Sequence, residues 1–359
     1  MNIIYSFNKR GFEADYWRKE ISAASHDDAT FIPFNHDPYL QPHRYVRAQL
    51  LDNLYYARDP DLLRMYADLS RLIEETRATA LIVDNYFPYH PDFLKQLGIY
   101  KVLRTTDGPM TAYDRDFAYL HAYDHVLYHS PAYSRDMGMA EKLRYCGAKR
   151  ADFLPLGSFD ALCDPTKTPE SILAAPRDID VVFVGALHLN KMPLLGAIKK
   201  AFGRRMRFHG LAGVKHNLYF NVMYGFPGWI RPLPFSRYVP LYQRAKIGIN
   251  VHNRGDYTVG GYRLFDLPAN GVMQISDGGE YLGQFFSVGE EVVGYAGAQD
   301  LIEKVRYFLA NDAERKRIAL GGFRRVRSDY GIVTLLRKAA GCILEGLERV
   351  PGVVRRRSV

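Results

Sequence analysis

Residues 180–191 read DVVFVGALHLNK, and this stretch decides the fold class. A run of apolar, mostly β-branched residues leads to Gly185, and an amphipathic stretch follows from about residue 192 to 202. Such a run predicts a buried strand, and the glycine predicts a tight turn into a helix. No GxGxxG follows this or any other strand-like run, which disfavours an NAD or FAD enzyme. The stretch therefore predicts a βα unit without a dinucleotide motif.

The same alternation of short apolar runs and longer amphipathic stretches extends over the whole chain. Strand-like runs occupy residues 2–5, 30–33, 80–84, 100–104, 125–129, 151–154, 180–185, 207–209, 246–251 and 272–276. Helical patterns occupy residues 13–24, 44–76, 192–202, 295–321 and 332–347, with a long ordered loop expected at 213–234. Strands separated by helices predict mostly parallel sheets. We therefore expect an α/β protein with two Rossmann-like parallel-sheet domains that face a central cleft.

The boundary between the two halves is predicted from composition. Residues 158–178 are rich in Pro, Asp, Ser and Thr, as linkers are. We expect an N-terminal domain at 1–157, this linker, a C-terminal domain at 179–331, and a C-terminal helix with a basic tail at 332–359. That last helix is a candidate to pack back on the N-terminal domain.

The charge of the chain is uneven. The 359 residues carry a formal net charge of +9, and from Lys304 onward there are 14 Lys and Arg against 5 Asp and Glu, so 14 − 5 = +9. One interpretation is solvated helix faces with a basic tail. The alternative is attraction to an anionic membrane surface, a charged glycan or a nucleic acid, of which nucleic acid ranks last because no aromatic–basic recognition string occurs.

Other features favour a cytoplasmic globular protein. Hydrophobic residues make up 47% of the chain, and no apolar run reaches the length that spans a bilayer. The N-terminal sequence MNIIYSFNKRGFEADYW lacks the apolar stretch of a signal peptide. The three cysteines are far apart, which excludes a CxxC metal site and disfavours a disulfide framework.

A second informative stretch is GGYRLFDLPANG at residues 260–271. If a helix begins near residue 262, Gly260 and Gly261 present N–H groups at its positive end, where phosphate binds readily. Arg263 supplies bidentate hydrogen bonds for phosphate oxygens, and the carboxylate of Asp266 could accept hydrogen bonds from ribose hydroxyls. The alternative is a capped helix with a surface Arg–Asp pair. Asn270 and Gly271 would end the helix in either case.

Four stretches together resemble the C-terminal half of GT-B glycosyltransferases. They are DVVFVGALHLNK, YQRAKIGINVHN, GYRLFDLPANGVMQISD and EEVVGYAGAQDLIEKVRYFLANDAERKRIALGG, and the resemblance covers roughly residues 180–330. The similarity is closest to the CgeB-like, spore-maturation group. The N-terminal half matches more loosely, through RTTDGP, YDHVLYHSPAYS and DFLPLG.

The resemblance implies roles for residues of the C-terminal half. Asp266 stands where the family has a ribose-binding glutamate, and Thr258 stands where many retaining members have a second glutamate near the donor sugar. The shorter acid at 266 is expected to shift or weaken the ribose contact, and the departure at Thr258 leaves the sugar and the inverting or retaining outcome open. The donor diphosphate would be held by residues of the same stretch with help from an upstream lysine: Gly260, Gly261, Arg263 and Lys191.

An inverting transferase also needs a base that deprotonates the acceptor hydroxyl. Candidates follow strand-like runs of the N-terminal half: Asp84, His90 and, favoured, Asp107, which precedes Gly108-Pro109. The alternative for Asp107 is that it caps a turn. Gly185 allows close approach to the donor, and His188 and His252 lie at strand ends on the donor side, where the alternative is an ordinary hydrogen-bonded loop histidine.

No metal or cofactor is predicted. The DxD strings at residues 59–61, 114–116 and 178–180 do not follow strands as metal-binding DxD motifs do, and no HExxH, GxSxG or P-loop occurs. We therefore predict a metal-independent glycosyltransferase that uses a nucleoside-diphosphate sugar and a hydroxyl acceptor on a polysaccharide, glycolipid or protein. The alternatives are a catalytically silent sugar- or nucleotide-binding protein and a sugar-nucleotide epimerase.

Overall fold

The chain divides into two α/β units in the computed structural model. The first unit comprises Met1–Pro155 and Ile332–Val359, and the second comprises Leu156–Gly331. The structure describes residues 1–39, 48–85, 88–106, 117–134, 136–159, 162–163, 166–252 and 260–349. Residues 158–178, expected to be a linker, belong to the second unit. Ser158 is tied to it because its main-chain N–H donates to Tyr330 O at 2.8 Å.

The first unit contains a six-stranded parallel sheet in the order β2-β1-β3-β4-β5-β8. Its elements are β1 (Asn2–Phe7), α1 (Gly11–Ala23), β2 (Thr30–Asn35), α2 (Ala48–Tyr56), α3 (Pro60–Thr76), β3 (Ala80–Asp84), α4 (Pro91–Gln96), β4 (Tyr100–Arg104), β5 (His125–Tyr128), β6 (Ala132–Ser134), β7 (Met137–Gly138), α5 (Met139–Tyr145) and β8 (Ala151–Phe153). Strands β6 and β7 form a separate antiparallel pair. All six strand-like runs predicted in this half are confirmed as strands of the sheet.

The second unit contains a five-stranded parallel sheet in the order β10-β9-β11-β12-β13. Its elements are α6 (Pro169–Ala174), β9 (Ile179–Val184), α7 (Met192–Phe202), β10 (Met206–His209), α8 (Val214–Tyr224), α9 (Tyr238–Arg244), β11 (Ala245–Asn250), α10 (Arg263–Ala269), β12 (Met273–Ser276), β13 (Val293–Gly294), α11 (Gly297–Ala310) and α12 (Asp312–Asp329). The DVVFVG run is confirmed as strand β9, which lies between β10 and β11, and its residues Val181, Val182 and Phe183 are fully buried.

Both sheets begin with the same strand order. In each unit the second strand lies on one side of the first and the third strand lies on the other, so the order reverses beside the first strand. This reversal is a topological switch point, where open α/β sheets bind ligands at the carboxyl ends of their strands. In the second unit the switch point lies between the ends of β9 and β11.

The last helix, α13 (Ile332–Arg349), belongs to the first unit. Arg337 donates from Nε to Ala24 O at 3.3 Å and from Nη2 to Ala23 O at 3.2 Å. Glu345 pairs with Arg150 at 3.0 Å. Gly346 packs so closely on Tyr100 that a Cβ there would lie 2.2 Å from the phenol oxygen.

Three predictions of secondary structure differ from the structure. The stretch 295–321, predicted to be helical, contains α11 and the first part of α12, which are separated at Asn311. The stretch 44–76 contains two helices, because Asp59 and Pro60 start α3: the Asp59 carboxylate accepts from the main-chain N–H groups of Asp61 and Leu62, both at 3.1 Å. The prediction of a loop over 213–234 is wrong, since α8 lies within it. Apolar side chains project from all sides of this helix, so its sequence lacks the period of an amphipathic helix.

The described residues contain no helix that is both long and apolar enough to cross a membrane. The same residues contain no group of three or more His, Cys, Asp or Glu side chains arranged to hold a metal ion. The acids of the DxD string at 178–180 form ion pairs instead, Asp178 with Arg244 and Asp180 with Lys246 and Arg205.

Candidate functional site

The guanidinium of Arg263 occupies the switch point of the second unit. Arg263 is the first residue of α10, and its Nε donates to Val184 O at the end of β9. Its Nη1 donates to Asn250 Oδ1 at 3.1 Å and to Val251 O at 3.4 Å, both at the end of β11. The guanidinium also lies 4.7 Å from the centre of the Phe183 ring. Arg263 thus connects the two strand ends at which the sheet order reverses.

Gly185 is required at the end of β9 because Arg263 occupies the space of a side chain. A Cβ on Gly185 would lie 1.6 Å from Nη2 and 2.6 Å from Cζ of Arg263. The sequence predicted close backbone approach at this glycine, and the group that approaches is the guanidinium. Burial lowers the pKa of Arg263. The side chain nevertheless stays charged, since an arginine pKa lies far above neutral pH.

Lys191 brings a second cation to the same region. It ends the short 3-10 helix Leu189–Lys191 before α7, and its side chain is 3% exposed. Burial lowers its pKa to about 7, and the nearby charge of Arg263 adds to the shift, while Asp277 opposes it. Its ammonium makes no hydrogen bond and no ion pair to the residues that the structure describes. A buried cation without a partner is costly, and an anionic ligand would satisfy it.

His252 and Asp277 form a hydrogen-bonded pair at the ends of β11 and β12. His252 Nδ1 lies 2.6 Å from Asp277 Oδ1, and the main-chain N–H of His252 donates to both carboxylate oxygens at 3.1 and 2.9 Å. Nδ1 therefore carries the proton, and Nε2 accepts a long hydrogen bond of 3.4 Å from the main-chain N–H of Gly260. His252 thus fixes the start of the GGYR segment. Gly260 has a φ of 121°, which other residues rarely adopt.

Asp266 lies inside the second unit. It is 5% exposed, and Ser158 Oγ donates to its Oδ1 at 3.0 Å. Burial raises the pKa of Asp266 to about 7, although Ser158 and Arg263 oppose the shift. In this conformation the carboxyl group bonds to Ser158, so its predicted contact with a ribose stays a prediction. Gly271 ends the helix with a φ of 67°, which confirms the predicted cap.

The remaining donor-side candidates are His188, Gly261 and Thr258. His188 is exposed and precedes the 3-10 helix that ends in Lys191, and burial of part of its ring lowers its pKa. Gly261 precedes α10, and a Cβ on it would meet nothing within 4 Å. Thr258 lies outside the described residues.

Asp84, a candidate base, belongs to the first unit at the end of β3. Tyr5 Oη donates to Asp84 Oδ2 at 3.2 Å and accepts from Arg104 Nη1 at 2.6 Å. Burial raises the pKa of Asp84, although the charge of Arg104 opposes the shift. A raised pKa makes a carboxylate a stronger base, which is compatible with the predicted role.

His90, the second candidate, caps α4. Its Nδ1 accepts from the main-chain N–H of Asp92 at 3.2 Å, and its Nε2 lies 3.2 Å from Asp52 Oδ1. The ring stacks on Tyr55 with 3.9 Å between the ring centres, and burial lowers its pKa. Both ring nitrogens are thus engaged within the first unit, which favours a structural role. Asp107, the favoured base, lies outside the described residues.

The sequence analysis missed three polar residues that organise the donor-side region: Asn250, Asp277 and Ser158. Asn250 and Asp277 lie at the ends of strand-like runs, the signal that selected His252. That signal could have found both. Ser158 could not be found, because it comes from the predicted linker 108 residues before Asp266.

The comparisons with known proteins agree with this architecture. Residues 192–339 match the family model described as glycosyl transferase-like. The sequence matches none of the curated proteins.

Solved structures match nearly the whole chain. Sucrose-phosphate synthase from Thermosynechococcus elongatus aligns with a TM-score of 0.61 at 14% identity, over 96% of this chain and 99% of its own. HepE of Anabaena in complex with UDP-glucose aligns with a TM-score of 0.60 at 13% identity, over 97% of this chain and 100% of its own. The chain has the GT-B fold.

GT-B here means two Rossmann-like domains, the two units described above. A further GT-B neighbour is a putative UDP-N-acetylglucosamine 2-epimerase from Listeria monocytogenes, with a TM-score of 0.55 at 10% identity, over 97% of each chain. Identities this low carry the fold and not the activity. We therefore infer the activity from the residues at the switch point of the second unit.

Proposed function

We propose that the protein is a glycosyltransferase that transfers a sugar from a nucleoside-diphosphate sugar to a hydroxyl acceptor. The match of residues 192–339 to a glycosyl transferase-like model supports the class. The GT-B fold supports it as well, since neighbours of this fold include HepE in complex with UDP and with UDP-glucose. UDP-sugars are therefore the first donors to test.

The observation that carries the proposal is the pair of cations at the switch point of the second unit. The buried ammonium of Lys191 has no hydrogen-bonding partner among the described residues, and the guanidinium of Arg263 lies nearby at the end of β9. A guanidinium and an ammonium at the carboxyl end of a parallel sheet match the charge of a diphosphate, which would hold Lys191 in its charged form.

The same two residues would also serve the reaction. During transfer, the acceptor oxygen forms a bond to the anomeric carbon while the bond from that carbon to the diphosphate oxygen breaks. Negative charge then grows on the departing diphosphate. Arg263 and Lys191 would stabilise this charge without a metal ion, because their positions are already fixed before the reaction. Gly261 would bring its main-chain N–H group to the same oxygens, whereas the N–H of Gly260 donates to His252 Nε2.

The acceptor proton needs a base. Among the three candidates we rank Asp107 first, and Asp84 second because of its raised pKa. The stereochemical outcome stays open. On the basis of the sequence motif GYRLFDLPANG, we propose that the enzyme belongs to the CgeB-like group. We also propose that it is cytoplasmic and acts on a polysaccharide, glycolipid or protein acceptor.

A thermal-shift panel of nucleoside diphosphates and their sugars tests the donor site. A ligand that binds only the folded protein adds about 2.7 kcal/mol of stability at 100 times its dissociation constant. We expect UDP or another nucleoside diphosphate to raise the melting temperature of the wild type and not that of Arg263→Ala. A panel without any stabilising nucleotide would contradict the proposal.

Product analysis separates the two other candidate functions. An epimerase, which the Listeria neighbour brings into consideration, would convert the donor to a new sugar nucleotide without acceptor. A silent binding protein would be stabilised by the donor and would neither hydrolyse nor transfer it. A transferase releases nucleoside diphosphate faster when an acceptor is added.

A further inference from the structure

Helix α8 exposes most of its large apolar side chains. The residues of α8 that are buried are Asn217 and Phe220. Large apolar side chains point outward instead and follow one another at helical spacing: Val214, Leu218 and Val222 are 63%, 56% and 80% exposed, and Tyr219 and Met223 are 43% and 61% exposed. A surface helix of a globular protein normally buries such residues. The exposed side of α8 therefore suits an apolar environment.

Polar contacts hold the helix in this orientation. Asn217 Nδ2 donates to Ile230 O at 3.1 Å, and Asn217 Oδ1 accepts from the N–H of Ile230 at 2.7 Å. Asn221 Nδ2 donates to Gly228 O at 3.1 Å, one residue before Trp229. Phe220 is 2% exposed and anchors the helix in the core. Rotation of α8 to hide its apolar side would break all of these contacts.

The apolar surface extends beyond the helix. Of the twelve large apolar side chains that are exposed among the described residues, seven fall within residues 211–229: Leu211, Val214, Leu218, Tyr219, Val222, Met223 and Trp229. The other five are spread along the rest of the chain. We call these seven side chains the α8 patch. Contiguous exposed apolar residues of this kind mark a binding surface.

Positive charge lies beside the α8 patch. Arg204, Arg207 and Arg231 line, together with Trp229, a cavity of about 410 Å³. None of these arginines forms an ion pair within the described parts of the chain. Between Asp180 and Asp256 the sequence has 12 Lys and Arg and no Asp or Glu. Asp178 and Asp180, which precede this segment, pair with three of the twelve cations, Arg205, Arg244 and Lys246. The segment keeps an excess of positive charge, which attracts anions.

We propose that the α8 patch binds the surface of an anionic lipid bilayer. An interfacial helix presents Leu, Val, Met, Tyr and Trp to the acyl boundary while neighbouring Lys and Arg meet the headgroups. Trp and Tyr are enriched at that depth. Charge complementarity favours a bilayer over a second copy of this chain, because the same basic surfaces of two copies would repel each other.

This surface differs from the basic C-terminal region that the sequence analysis singled out for a membrane. Arg315 and Lys316 pair with Asp312, and Arg325 pairs with Asp329, so two carboxylates offset part of that charge. The proposal is independent of the proposed glycosyl transfer, because it needs neither a donor nor catalysis.

Co-sedimentation of the purified full chain with vesicles tests the proposal. We expect binding to phosphatidylcholine vesicles with about 30 mol% phosphatidylglycerol and much weaker binding to pure phosphatidylcholine, with loss in about 1 M salt. Leu218→Glu/Val222→Glu should weaken binding at least about tenfold. The matched control is Tyr145→Glu in α5, whose side chain is 83% exposed, like that of Val222; it should bind as the wild type does.

A triple variant tests the charges without changing the helix. Arg204→Gln/Arg207→Gln/Arg231→Gln should weaken binding to anionic vesicles by about fivefold per cation that meets a headgroup. Thermal melts of both variants establish that the fold is retained. Equal binding of wild type and both variants would overturn the proposal.

Tryptophan fluorescence gives an independent readout. The chain has two tryptophans, of which Trp17 is buried at 5% exposure and Trp229 is 50% exposed. Anionic vesicles should shift the emission to the blue, and Trp229→Phe should abolish the shift. If instead the wild type has twice its monomer mass of 41.1 kDa in solution, binds no vesicles, and becomes monomeric in Leu218→Glu/Val222→Glu, the patch is a self-association surface and the proposal fails.

Discussion

The two parallel sheets share a strand order and differ in the charge at their switch points. In the first unit, Asp84 and Arg104 meet through the hydroxyl of Tyr5, so opposite charges are joined in one hydrogen-bonded group. In the second unit, Arg263 and Lys191 bring two cations together, and Asp277, which is hydrogen-bonded to His252, offsets only part of their charge. The same topology thus produces one neutralised site and one that attracts anions. Topology locates a ligand site, and charge selects the ligand.

The largest expected effect comes from Arg263. Arg263→Ala removes the guanidinium charge and the hydrogen bonds that Nη2 can donate to a diphosphate, and we expect affinity for nucleoside diphosphate to fall about 100-fold. The variant should also lower the free energy of unfolding by about 1–3 kcal/mol, since Val184 O and Asn250 lose their donor. Calorimetric titration and thermal melts measure the two effects.

The matched control for this variant is Arg244→Ala, which removes an exposed arginine of the same unit. Arg244 pairs with Asp178 at the opposite end of the sheet, so its loss should leave the affinity unchanged. Equal affinities of Arg263→Ala and wild type would mean that the second switch point does not bind the nucleotide.

A smaller loss is expected from Gly185→Ala. The new methyl group would occupy the position of Arg263 Nη2, so the guanidinium must move away from the ends of β9 and β11. We expect affinity to fall about 30-fold, less than in Arg263→Ala because the charge remains nearby. The control is Gly283→Ala, where a Cβ meets nothing within 4 Å. A Gly185→Ala protein with wild-type affinity would show that the observed placement of Arg263 is not the binding one.

The effect of Lys191 depends on pH. Its pKa of about 7 in the free protein means that the ammonium is present below pH 7 and lost above it. Affinity of the wild type should therefore fall as pH rises through 7, and it should exceed that of Lys191→Met about tenfold at pH 6. The two affinities should converge toward pH 9. Lys191→Arg should remove the pH dependence, because arginine stays charged.

The smallest effect on nucleotide affinity is expected in the first unit. Asp84→Asn removes a carboxylate from the neutralised switch point, and the affinity for nucleoside diphosphate should change by less than about twofold. A lower transfer rate at unchanged affinity would support Asp84 as the base. A large change in the affinity for nucleoside diphosphate would contradict the claim that the second switch point, and not the first, binds the nucleotide.

The sequence predicted the strands well and the contacts poorly. Runs such as DVVFVG and ALIVD are buried on both faces of parallel sheets, so their composition alone identifies them. Helix α8 was not predicted, because Asn217 faces the core while Leu218 and Val222 face outward, so the sequence lacks the apolar period of a helix. The contacts of Arg263 with Gly185 and of Asp266 with Ser158 join residues far apart in sequence. Only the folded chain brings such residues together.

Proton uptake on binding tests the central claim most directly. At pH 8 most Lys191 side chains in the free protein are neutral, and a bound diphosphate should restore the charge in about half of them, because a tenfold gain in affinity raises the pKa of Lys191 by about one unit. Titration of a nucleoside diphosphate in buffers of different ionisation enthalpy should therefore give an uptake of about 0.4 proton per site in the wild type. Lys191→Arg should give none. Binding without proton uptake in the wild type would contradict the claim that the buried ammonium of Lys191 holds the diphosphate.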